Sequence, residues 1–350
     1  METAPIFIIG TERSGSNLLR LILNTHSGID IPHPPHVLKF FTPFEKSYQD
    51  LAHPENLRRL VNDLLGLLAV HIHQWDIRPT ADEVMAGATP SDLIGVFFSL
   101  YNAHLRHSGK RRWGCKSTFV VDHAARVLSA CPTAKFLFLV RDPRDVAVSS
   151  RKAIFSPFHP FFTADLWRRQ QLAGLSLLDS APESCMLVRY EDLIREPENT
   201  TRQICAFISE EFEPAMLEFY RTRAARQCES LSESWHYTAS PIQADNLNKF
   251  LTELLPAEIT LIEELTSDLM QRFGYQPVET PPRQVTRRPP PGFFTICRYR
   301  IINFYLQMTT ELRALVRDRN YPLFCKRRFF LFRLRCRFFL RDLVSAQDGV

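Results

Sequence analysis

The sequence predicts an α/β fold, a mostly parallel central sheet flanked by helices. Three observations predict it. Apolar runs of strand length, at 5–9 and 134–140, each end in a turn that opens an amphipathic helical pattern. Strand and helix patterns alternate along the chain instead of clustering. The 350 residues, 45% hydrophobic and 23% charged, are ordinary for a globular protein with an ample core.

The first run, Pro5-Ile6-Phe7-Ile8-Ile9, reads as a buried strand. It leads into Gly10-Thr11-Glu12-Arg13-Ser14-Gly15-Ser16-Asn17 and then the helical pattern Leu18-Leu19-Arg20-Leu21-Ile22-Leu23. A strand, a glycine turn and a helix N-terminus present backbone N–H groups and a favourable dipole to a phosphate. The spacing Gly10-x4-Gly15 matches a nucleotide-triphosphate loop, which continues with Lys and then Ser or Thr. Ser16 and Asn17 stand there instead, so both the phosphate-reaching Lys and the Mg²⁺-holding hydroxyl are missing, and Arg13 supplies a cation from within the turn. This is an anion cradle for something other than metal-assisted triphosphate chemistry.

Residues 29–36 are stiffened by prolines and are not helical. Pro54-Glu55-Asn56 opens a helix with Leu57, Leu60, Val61, Leu64, Leu65 and Leu68 on one face, and 91–107 reads as another. Trp113-Gly114-Cys115-Lys116 is a short strand running into a loop, followed by a helix over 122–130. The clearest central strand, 134–140, ends in Arg141-Asp142-Pro143-Arg144-Asp145, where Pro143 suits a first helical turn. A further strand at 184–190 and helices over 197–208 and 253–273 complete the pattern, with no internal repeat. Ligands in such folds bind outside the carboxyl ends of the strands. Two cation-bearing strand-to-helix corners there, 10–17 and 141–149, point to a ligand with two separated anionic groups.

The eight cysteines show no C-x-x-C pair and no metal-finger spacing, which favours buried free thiols in a reducing compartment. The chain enters its first strand without a basic, apolar leader, and no run approaches the ~18 apolar residues of a membrane span. A cytoplasmic, soluble body is the expectation. Charge divides unevenly: fifteen Lys and Arg against Glu311 and Asp318 lie between Arg283 and Arg341, leaving 28 basic and 36 acidic residues elsewhere. The expected organisation is an α/β domain over 1–280, a Pro-rich linker at 281–292 and a basic, aromatic-rich, helical tail over 293–350. The interleaved Phe and Arg of 293–341 fit the inner face of an anionic membrane, or else a helical cap on the acidic body. No nucleic-acid reader motif is present.

The two corners together resemble the sulfotransferase family that uses 3′-phosphoadenosine 5′-phosphosulfate. Arg13-Ser14-Gly15-Ser16-Asn17-Leu18-Leu19 resembles its 5′-phosphosulfate loop. The segment from Phe138 to Ser149, with Arg141 at a strand end and Ser149 eight residues later, resembles its 3′-phosphate element. Trp113-Gly114-Cys115-Lys116-Ser117 and Arg189-Tyr190-Glu191-Asp192-Leu193 resemble two lesser signatures in family order, and the resemblance covers roughly 5–275. It implies a P-loop-like sulfotransferase fold and that donor as co-substrate, with no metal. It also implies donor contacts from Arg13, Ser14, Gly15, Ser16, Asn17, Leu18, Arg141, Ser149 and Tyr190, and from Ser240 and Lys249 in a late closing loop. Lys116 is implied as the cation over the leaving group. Glu12, where many relatives carry Pro or Gly, is expected to point away from the anion, and Cys115 replaces an acid.

Sulfuryl transfer needs positioning, cations over the departing phosphate and a base for the acceptor hydroxyl. The segment after the first helix offers no Glu, but it offers His33 and His36 beside prolines. His36 is the preferred base because it precedes the helical segment, Asp30 is a weaker alternative, and His26 reads as structural. The acceptor is a hydroxyl of a carbohydrate, lipid or other small molecule. Rival readings are a P-loop-type kinase, or a non-catalytic nucleotide-binding module that presents its basic tail to a membrane or partner.

Overall fold

The structure, a computed structural model, describes residues 4–154, 157–231, 235, 237–278, 291–318 and 320–347. Among them β1 (Ile6–Gly10), β2 (Ile29–Asp30), β3 (Arg112–Lys116), β4 (Lys135–Val140) and β5 (Cys185–Arg189) form one sheet in the order β2-β3-β1-β4-β5. Every pair is parallel, with β1 central: Ile6 lies opposite Gly114 on one side and Lys135 on the other. The apolar run that predicted β1 is uninterrupted because both its faces are covered. Phe7 and Ile9 enter one core layer, Ile6 and Ile8 the other. β4 repeats the division, with Phe136 and Phe138 on the first side and Leu137 and Leu139 on the second.

The helices follow the expected patterns at Pro54–Ala69, Leu93–Ser108, Pro143–Ser150 and Pro197–Phe207. The expected helix over 253–273 is divided: a turn at Phe250–Glu253 stops before Pro256, which opens a new helix to Arg272. The longest helix of the body, Pro160–Ser180, went unread in the sequence. Its buried face mixes Thr163, Gln170 and Gln171 with Ala164, Trp167, Gly174, Leu175 and Leu177, so polar residues break the apolar periodicity that would reveal it. Gly174 is needed there, because a Cβ would come within 2.3 Å of the Phe138 ring on β4.

Two helices, Phe293–Arg317 and Tyr321–Gln347, form the C-terminal extension. Residues 281–290 of the expected linker lie outside the described residues. The second helix lays Phe324, Arg327, Leu334 and Phe338 against the body, at helical spacing. Phe338 meets the rings of Phe44 and Tyr48, and Arg337 forms an ion pair with Asp63. The helical-cap arrangement is thus realised along this face. No helix among the described residues is long and apolar enough to cross a membrane.

Candidate active site

A cleft of about 270 Å³ opens at the carboxyl edge of the sheet, where both anion corners meet. The turn after β1 depends on positive φ at Gly10 and Gly15, and it forces Arg13 into the same region (φ 70). Gly15 is also the closest approach of this turn to Tyr190, since a Cβ would stand 2.2 Å from that ring. Arg13 Nε donates to Ser149 Oγ at 3.0 Å, and the Arg13 carbonyl accepts from Arg141 Nη1 at 3.2 Å. The two corners are therefore tied together through the residues expected to bind the donor.

Arg141 is held on every side. Its guanidinium lies 4.3 Å from the Tyr190 ring centre, donates to the Asn246 carbonyl at 2.9 Å and faces Asp145 at 3.7 Å. Asp145 accepts in turn from the backbone N–H groups of Asn248 and Phe250, and Asn246 Nδ2 donates to the Tyr190 hydroxyl at 2.6 Å. These contacts draw the late loop bearing Ser240 and Lys249 over the cleft, and both residues line it. Asn17 Nδ2 and Arg141 Nε are buried without a hydrogen-bond partner among the described residues, and so is Ser14 Oγ, but Ser14 is fully buried and, unlike its neighbours in the turn, does not line the cleft. Unmet donors beside two arginines are a polar cradle that an anion with several oxygens satisfies. Burial lowers the Arg13 pKa to about 10, with the neighbouring Arg141 adding to that fall and Glu12 opposing it. Arg13 remains a cation at neutral pH.

The same cleft carries both candidate bases. His36 sits at positive φ (57) ahead of the short helix Val37–Phe41, and its Nδ1 is 2.9 Å from Ser117 Oγ. Phe119 covers it edge to face. His33 is locked more firmly: Nδ1 is 3.0 Å from His71 Nε2, its carbonyl accepts from Trp75 Nε1, and His73 stacks on its ring. Burial, and then the charge of Lys116, push both imidazoles well below their ordinary pKa. Both are neutral at pH 7 and able to accept a proton. Lys116, at the end of β3, is brought down to about 8, first by burial and then by Arg20. His33, His36 and Lys116 all line the cleft, as do Arg13, Gly15, Ser16, Asn17, Leu18, Arg141, Ser149 and Tyr190.

Several expectations change. Glu12 does not point away: it lines the cleft, and its charge acts on Arg13, Lys39, Lys116 and Arg327. Asp30 is not among the cleft residues; its carboxylate is 2.8 Å from His104 Nδ1. His26 does not line the cleft, and its ring nitrogens are engaged by the Glu211 carbonyl and the Gly28 N–H. Cys115 accepts from the Tyr101 hydroxyl in the core, where burial raises its thiol to about 12, so it offers the cleft nothing. The sequence reading missed Lys39, Asn246 and Arg327. Arg327 alone carried a signal, a charged residue on the apolar stripe of a helix.

The family model of the sulfotransferase family matches residues 5–214. The chain belongs to the sulfotransferase family. Protein-tyrosine sulfotransferase 1 of Danio rerio is 24% identical over 286 residues, which cover 79% of this chain and 74% of that protein. Protein-tyrosine sulfotransferase 2 of Gallus gallus is 23% identical over 295 residues, covering 80% and 72%. Among solved structures, the sulfotransferase domain from the Synechococcus PCC 7002 olefin synthase superposes with a TM-score of 0.54 at 22% identity, over 78% of this chain and 96% of that domain. That likeness places this sulfotransferase in the same fold, and its cleft lies where both signature corners converge.

Proposed function

We propose that this sulfotransferase moves a sulfuryl group from 3′-phosphoadenosine 5′-phosphosulfate to an acceptor hydroxyl. The observation that carries the reading is the direct link between the two anion corners, Arg13 Nε to Ser149 Oγ, beside the unmet donors of Asn17 and Arg141. The cradle fits a nucleotide with phosphate groups at both ends of its ribose. Arg141 and Ser149 hold the 3′-phosphate, and Arg13 with the backbone of Gly15, Ser16 and Asn17 holds the 5′-phosphosulfate. When bound, the donor supplies an SO₃-like group on a phosphate leaving group.

Lys116 is a half-buried cation that offsets charge gathering on the departing phosphate, where a lowered dielectric makes it more effective than in water. His36 takes the acceptor proton at Nε2 while Ser117 Oγ fixes its ring through Nδ1. His33, wedged among His71, His73 and Trp235, shapes the pocket and holds its neighbour's segment. Calorimetry tests the donor assignment: 3′,5′-bisphosphoadenosine binds in the micromolar range and ATP at least about a hundredfold more weakly, a gap of roughly 2.7 kcal/mol. A preference for ATP refutes it.

The extension carries a second part of the reading. Phe293 and Phe294 are 75% and 87% exposed beside the exposed Arg298 and Arg300, a mixture suited to an anionic lipid surface. Sedimentation with phosphatidylserine vesicles is expected for the native chain and lost when Phe293, Phe294 and Phe304 are replaced by Ser. Undiminished sedimentation of that variant rules the lipid surface out.

A further inference from the structure

The apolar stripe of the Tyr321–Gln347 helix is interrupted by a charge. Phe324, Leu334 and Phe338 face the body, and Arg327 occupies the same stripe, 8% exposed. A cation on a buried stripe is costly unless something compensates it. Arg337 on the same helix has Asp63. Arg327 forms neither a hydrogen bond nor an ion pair among the described residues. Its guanidinium packs between the rings of Phe40 and Phe324, at 5.9 and 5.4 Å, and lines the cleft.

Its place in the cleft is the acceptor end. The Phe40 ring that Arg327 approaches also meets the His36 ring edge to face, 6.4 Å between centres, and the Lys39 ammonium at 5.6 Å. Lys39 stands there too, with its ammonium 3.5 Å from the Phe119 ring centre and no hydrogen bond or ion pair among the described residues. With Arg13, Arg141 and Lys116 assigned to the donor, Lys39 and Arg327 are cations left over beside the candidate base. Glu12 is a carboxylate whose charge acts on both, one negative charge set against two positive ones.

We propose that the C-terminal extension is a wall of the active site, and that Arg327, seconded by Lys39, binds an anionic group carried by the acceptor itself. The acceptor is then a hydroxyl compound with its own carboxylate, sulfate or phosphate, placed so that its hydroxyl meets His36. This rests on the sulfuryl-transfer reading above. Arg327 sets which acceptor is held; it takes no proton and touches no leaving group.

The test uses the full chain saturated with 3′,5′-bisphosphoadenosine, with radiolabelled inorganic sulfate as probe at constant ionic strength. Wild type binds sulfate saturably, Arg327→Gln about tenfold or more weaker, and Arg327→Lys within about threefold of wild type, because the lost contact is a charge-assisted one. Equal binding by wild type and Arg327→Gln, or no saturable binding by wild type, overturns the proposal. Displacement identifies the source of the anion: 4-hydroxyphenylacetate, glucuronate and glycerol 3-phosphate are compared with 4-hydroxyphenylacetamide, glucose and glycerol. Displacement by at least one acid and not by its neutral counterpart supports an acidic acceptor. Displacement by none overturns it in favour of a free inorganic anion. Bisphosphoadenosine affinity is unchanged in Arg327→Gln; its absence in the wild type strikes the sulfuryl-transfer reading instead, so the two failures are distinct.

Discussion

The two ends of the cleft are built by opposite means. At the donor end, side chains bond to main chain and to one another within two strand-to-helix corners: Arg13 to Ser149, Arg141 to the carbonyls of Arg13 and Asn246, Asp145 to two backbone N–H groups. At the acceptor end, rings do the holding. His33 lies among His71, His73 and Trp235, His36 against Phe119, and Arg327 between Phe40 and Phe324. The first kind of construction fixes geometry through hydrogen bonds. The second strips water from titratable groups and so resets their basicity. Damage to the donor end is expected to weaken binding, and damage to the acceptor end to slow turnover or change its selectivity.

That division is open to attack, beginning with the acceptor end. Replacing His36 by Asn is expected to lower kcat by about 10²- to 10⁴-fold, the usual worth of a general base, with bisphosphoadenosine affinity unaltered. A larger loss in His33→Asn transfers the proton acceptor to that residue. Lys116→Ala is expected to cost about 10²- to 10³-fold in kcat, comparable with removal of one preorganised charge-stabilising donor. Because burial sets the Lys116 pKa at about 8, the cation is present below that pH and lost above it. The kcat/KM for the donor therefore declines as pH rises through 8, a limb that Lys116→Arg moves upward.

Arg141→Ala probes the donor end. It removes two charged hydrogen bonds, and the expected loss in bisphosphoadenosine affinity by calorimetry is about 10- to 100-fold, with kcat at saturating donor little changed. Glu12→Gln gives the smallest effect. Taking a carboxylate out of a cluster of cations tightens donor binding by less than about tenfold. It also draws the Lys116 limb toward lower pH, since Glu12 holds that lysine's pKa up. A fall in donor affinity in Glu12→Gln contradicts this account of the loop.

The same contrast explains what was legible in the sequence. The residues proposed for the donor lie in contiguous strings or at a fixed eight-residue spacing, because one corner of backbone presents them, so the sequence already grouped Arg13, Gly15 to Leu18, Arg141 and Ser149, all of which line the cleft; Ser14 from the same string does not. Strands were readable where both faces are apolar, as in β1 and β4. The Pro160–Ser180 helix was not, since Thr163, Gln170 and Gln171 occupy its buried stripe. The acceptor end draws on residues far apart in the chain, His36, His71 and Arg327 among them, joined only by tertiary packing. No local pattern announces such a meeting. Glu12 is local to its turn, but residue type alone does not say whether a turn side chain faces the cleft, as this one does.

The order in which a ribosome makes this chain gives the C-terminal wall a temporal meaning. Every donor-side residue through Lys249 is synthesised about 80 residues before Arg327, a lag of roughly 4 to 16 seconds at ordinary translation rates. All the residues proposed for the donor are thus in the chain before the residue proposed to choose the acceptor. If Arg327 selects the acceptor as proposed, selectivity is the last property the chain acquires at birth, and the first that truncation from the C-terminal side removes.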